Sequence, residues 1–75
     1  MTTIITVTWK ESVDVGYGDY AYPERDIEIE WDGPIDPIDA DAVSNVVENR
    51  VEDRWTDFHR ITEIKVGEET IWYCY

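Results

Sequence analysis

Residues 3 to 15, TIITVTWKESVDV, alternate apolar and polar side chains. Ile5, Val7, Trp9, Val13 and Val15 share the odd face, and Thr6, Thr8, Lys10, Ser12 and Asp14 share the even one. A period of two marks a strand with one buried face. The glycines of GYGDY, residues 16 to 20, predict a turn. Residues 21 to 31 then predict a second strand with Ile27, Ile29 and Trp31 inward. Pairing Val15 with Ala21 sets Trp9 against Ile27, Val7 against Ile29 and Ile5 against Trp31. The same register puts Glu11 opposite Arg25 and Lys10 opposite Asp26. A slip of one residue would instead set Trp9 beside Asp26 and Val7 beside Glu28, turning the apolar set to the wrong face.

DGPIDP, residues 32 to 37, breaks the pattern, because two prolines bar a strand interior and Gly33 favours a turn. A helix follows, capped either by Asp36 with Pro37 at its first position or by Asp39 with Asp41 in its first turn. Val43, Val47, Val51 and Trp55 recur every fourth residue, Val46 widens the stripe, and the helix is expected to end near Thr56 or Asp57. RITEIKV, residues 60 to 66, and TIWYCY, residues 70 to 75, predict two more strands around a GEE turn. The expected fold is α+β: a ββαββ order in a single domain over residues 1–75, with a four-stranded antiparallel sheet and one helix packed on one face.

Charge changes the picture most. Eighteen Asp and Glu stand against six Lys and Arg, a formal net charge of −12. Nucleic-acid phosphates and anionic membranes repel such a chain, so direct nucleic-acid or membrane binding is not expected, and a basic protein is the natural complement. No apolar run is long enough to span a bilayer and no signal pattern opens the chain, which predicts a cytoplasmic protein. Cys74 is the only cysteine, so no internal disulfide forms.

The acids are patterned as well as numerous. In RDIEIEWDG, residues 25 to 33, Asp26, Glu28, Glu30 and Asp32 occupy every second position. Side chains two apart on a strand lie about 6.7 Å from each other, comparable to successive phosphates along one nucleic-acid strand. Asp14 and Glu24 extend the same even face. A plain solvated face that discourages aggregation explains the row equally well. Tyr17, Tyr20 and Tyr22 crowd one hairpin end, where they either pack the end of a small sheet or anchor an interface. Trp72, Tyr73 and Tyr75 read as core, though one face of that strand could pair two copies into a homodimer.

Other chemistry finds little footing. DPIDAD, residues 36 to 41, lacks the glycine and terminal glutamate of a calcium loop, and acids there suit a helix start. His59 and Cys74 are too few for a zinc site. Cys74 sits in an apolar strand without the cationic neighbours that a thiolate nucleophile needs. Nothing singles out a catalytic pair among the eighteen carboxylates, and no glycine-rich phosphate loop is present. No enzyme activity, cofactor or metal is expected.

The short length, the −12 balance and the DIEIEWD row resemble, at the level of class, the small acidic inhibitors encoded by phages and mobile elements, such as anti-CRISPR and anti-restriction proteins that imitate DNA. That resemblance implies blockade of a basic nucleic-acid-processing protein without turnover. The partner-facing residues would be Asp14, Glu24, Asp26, Glu28, Glu30 and Asp32, with Tyr20 and Tyr22. The alternative is a halophilic or otherwise acidic accessory domain with a structural or oligomeric role.

Overall fold

The computed structural model describes residues 2–52 and 57–74. The element order is β1 (Thr3–Gly16), β2 (Asp19–Ala21), β3 (Glu24–Trp31), α1 (Ala40–Val51), β4 (Asp57–Val66) and β5 (Glu69–Tyr73). The architecture is α+β, one helix with an antiparallel sheet. Among the described residues there are five strands where four were expected. Tyr22 and Pro23 interrupt the second arm, and Pro23 has no N–H to offer a ladder. The Pro23 carbonyl still accepts from the Glu11 N–H at 3.0 Å, so β2 and β3 follow one another along a single edge of β1. β4 takes the other edge of β1, and β5 pairs with β4.

The hairpin register differs from the expected one by two residues. Val13 pairs with Ala21, Lys10 with Glu24, Trp9 with Arg25, Thr8 with Asp26, Val7 with Ile27 and Ile5 with Ile29. The turn explains the offset. Gly16 faces Asp19 across a two-residue loop rather than a five-residue one, and Tyr17 and Gly18 both have positive φ, at 57° and 78°. Positive φ at both positions is the type I′ requirement, which matches the right-handed twist of the strands. Carried inward without interruption, that loop would pair Trp9 with Asp26, the out-of-phase arrangement. A bulge between Asp14 and Gly16 leaves Val15 unpaired and restores the phase by one residue.

Loop 32–38 and the helix start depend on two local contacts. The Trp31 indole N–H donates to the Pro34 carbonyl at 3.3 Å, and a Cβ at Gly33 would stand 3.0 Å from that indole nitrogen, so only glycine lets the chain turn there without displacing the ring. Of the two caps, Asp39 is the one used: its side chain accepts from the Ala42 N–H at 3.2 Å. Ile35 bridges to Ile38 just before it, which keeps Asp36 and Pro37 outside the helix. The helix stops at Val51, with Glu52 extended, short of the expected Thr56 or Asp57. Trp55 and Tyr75 lie outside the described residues.

Ile5, Val7, Trp9 and Ile29 from the hairpin, Ile61 and Ile64 from β4, and Ile38, Val43 and Val47 from the loop and helix form one buried cluster. The expected inward residues Ile27 and Trp31 pack against it, as does Trp72. Phe58 stacks on Trp9 with ring centroids 5.9 Å apart. Val15 and Tyr73, expected to be inward, are exposed, the first in the bulge and the second opposite Glu63 on the outer face.

Candidate functional site

The sheet has a core face and an open face, and the even positions of β3 lie on the open one. Asp26, Glu28 and Glu30 are exposed, opposite Thr8, Thr6 and Ile4 of β1. Glu24, also exposed, stands opposite Lys10, the role expected for Asp26. Asp32 continues the row just beyond the end of β3 and is exposed. Asp26 accepts a hydrogen bond from the Thr8 hydroxyl at 2.8 Å. Among the described residues the ion pairs are Arg25–Glu11 at 3.2 Å and Lys65–Glu63 at 3.5 Å, and neither involves the row. The Arg25–Glu11 pair survives the change of register because it now runs diagonally across the strands.

Among the described residues β3 pairs with β1 alone, so the acid row borders a sheet edge. Repulsion between two such rows works against self-pairing there. The opposite edge, β5, carries Thr70, Ile71, Trp72 and Tyr73 in place of a charge row.

Asp14, Tyr20 and Tyr22 belong to a second region. Among the described residues β4 accompanies β1 as far as Ser12, and residues 13–21 continue as an arm in which β2 pairs with β1. The molecule is elongated, 46 × 24 × 18 Å. Asp14 pairs with Tyr20 in the arm, and its carboxylate accepts from the Gly16 N–H at 2.8 Å. Tyr17 at the tip and Tyr20 beside it are exposed, so the tyrosines do not pack the end of the sheet. Tyr22, at the base, lies against the His59 ring at 4.5 Å. Bringing Tyr20 and Asp14 onto one arm and Glu24 through Asp32 onto one edge places the eight expected residues on two adjoining surfaces rather than in one pocket.

Comparisons with protein families, characterised proteins and solved structures find no match to this chain. Among the described residues no group of His, Cys, Asp and Glu is placed to hold a metal ion, and no helix is long and apolar enough to cross a membrane.

A third feature of the open face has only a faint sequence signal. Lys10 and Arg60 are direct register partners on β1 and β4. They line a groove of about 320 Å³ with Thr8, Glu24, Thr62, Glu63, Tyr73 and Cys74. Lys10 is visible in the alternation of β1, but Arg60 meets it only through the pairing of two strands fifty residues apart in the chain.

Among the described residues, one carboxyl stands displaced from its ordinary range, at the C-cap of the helix. The Glu52 carboxyl is raised, first by a side-chain hydrogen bond with Glu48, then by lost hydration, then by repulsion from Glu48 and Asp57. Glu48 and Glu52 are four apart at the negative end of the helix dipole, where like charges are least welcome.

Proposed function

We propose that this chain is a non-enzymatic acidic binding protein that covers a positively charged nucleic-acid-binding surface on a protein target, as anti-CRISPR and anti-restriction inhibitors of the DNA-imitating kind do. The reading is carried by one observation: Glu24, Asp26, Glu28 and Glu30 stand exposed at every second position of an edge strand, and none is in an ion pair among the described residues. Folding gains nothing from such a row, since neighbouring like charges repel. A basic surface would complement it, steering association and fixing register. The arm supports the same reading, because Tyr20 and Tyr22 offer contact area and hydroxyls beside Asp14.

Reversal of both Glu28 and Glu30 to Lys tests it. The double variant is expected to melt like the parent, because both side chains are in solvent. It should lose binding to a target whose parent complex is displaced by duplex DNA and weakens as salt is added. Binding undiminished in the double variant refutes the role of the row.

One observation favours the second reading, an acidic domain adapted to salt. Asp41, Glu52, Glu68 and Glu69 are exposed away from the row, and the Glu52 carboxyl is raised by its hydrogen bond with Glu48, by lost hydration and by the nearby acids. Such a domain unfolds at low ionic strength, whereas an inhibitor stays folded there and binds most tightly.

A further inference from the structure

We propose that the groove between β1 and β4 on the open face is a binding site for a single carboxylate, held between Lys10 and Arg60. The proposal does not rest on the acid row and stands or falls separately from it.

The argument begins with the cost of the arrangement. Lys10 and Arg60 are directly opposite each other across two strands. Like charges so placed destabilise a sheet. In a chain with eighteen acids and six bases, carboxylate neighbours are plentiful, yet neither cation is in an ion pair among the described residues. Glu24 faces Lys10 in register without closing a pair, and Glu63 is already engaged by Lys65 and by the Thr70 hydroxyl at 3.0 Å. An anion lying between the two cations would relieve their repulsion.

The donors specify the anion further. The Thr8 hydroxyl donates to Asp26 and the Thr62 hydroxyl donates to the Thr8 carbonyl at 3.3 Å, so both hydroxyl protons are committed. The charged donors of the groove are the Lys10 ammonium and the planar fork of Arg60, a pairing that suits the two oxygens of a carboxylate. Charge limits the valence. The groove's lining sets Lys10 and Arg60 against Glu24 and Glu63, so it is neutral overall. A monoanion adds the least negative charge to a −12 chain, which repels a phosphate dianion or polyphosphate more strongly. A groove of about 320 Å³ lies at the small end of ligand sites, room for an amino-acid-sized acid or the last residue of a peptide.

The test follows backbone amide resonances of the isotope-labelled full chain at constant ionic strength. Sodium N-acetylglycinate should give saturating shifts confined to the β1 and β4 residues of the groove, and N-acetylglycinamide, its neutral analogue, none. Lys10→Gln and Arg60→Gln should each weaken binding about tenfold, the loss expected for one charged hydrogen-bonding partner. Arg25→Gln, at a residue engaged by Glu11 away from the groove, should leave it unchanged. A short peptide with a free C-terminus, compared with its amidated form, separates the two sources of the same chemistry. Tighter binding of the free-acid peptide than of N-acetylglycinate identifies a protein C-terminus, and equal binding identifies a small acid. Shifts that rise without saturating, that are matched by the neutral analogue or that survive Arg60→Gln overturn the proposal. So does tighter binding of inorganic phosphate than of either carboxylate. The comparison of acid with amide on the parent chain needs no variant, so a variant that misfolds does not blunt the test.

Discussion

The two ends of β1 share one strand and one alternating pattern, yet they meet different fates. Residues 3–12 lie between β3 and β4, and their odd side chains Ile5, Val7 and Trp9 are buried. Residues 13–16 pair with β2 alone among the described residues, and Val15 there is 58 % exposed. Alternation states that a strand has an apolar face; it does not state that anything covers that face. Where β4 and the helix arrive, the face becomes core. Beyond Ser12, the last residue that β4 pairs among those described, the same pattern leaves Val15 in water. A lone two-stranded hairpin is marginal, so the arm depends on its turn and on the anchored strand behind it.

Matched substitutions sharpen this contrast most. Val7→Asp is expected to cost several kcal/mol, enough to unfold a domain this small, because it strands a charge in the cluster. Val15→Asp, the same change on the same strand, should shift stability by about 0.5 kcal/mol or less. Chemical denaturation of the two variants checks the pair, and equal losses would mean that the arm is packed in solution.

A smaller effect is expected at the tip. Tyr17 holds φ at 57°, a conformation that burdens a side chain and not a glycine. Tyr17→Gly should therefore stabilise the arm by up to about 1 kcal/mol, read as slower hydrogen exchange in residues 13–21, while exchange in the buried half of β1 stays as it was. Faster exchange in the arm would show that the tyrosine ring contributes to holding the turn.

The smallest effect concerns the helix end. Glu52 is more easily protonated in the fold than in the unfolded chain, so its charge opposes folding. That penalty is fully present at neutral pH. It disappears as pH falls through the raised folded value toward the ordinary carboxylate range, and below both values nothing of it remains. Glu52→Gln should thus melt at a slightly higher temperature than the parent at neutral pH, with the advantage shrinking as the solution is acidified. An advantage that grows on acidification would reverse the sign of the assignment.

Much of this molecule is legible in its residue pattern. The inward set of the first hairpin, the outward row of Asp26, Glu28 and Glu30, the Asp39 cap as one of two options, and the helical valines follow from period and local chemistry. The pairing register did not follow. Apolar complementarity excludes odd slips but is indifferent to a shift of two, and the choice fell to a two-residue turn and one bulged residue. The break at Tyr22 and Pro23 was visible as a proline, but its consequence depended on which strand lay alongside.

The sequence alone decided which residues share a face of each strand and how much charge the chain carries, because these follow from period and composition. Tertiary structure alone decided that β4 pairs β1 as far as Ser12 among the described residues, with the tyrosine arm beyond, and that Arg60 comes to lie beside Lys10. Both depend on contacts between segments far apart in the chain, and no short-range pattern records where distant strands meet.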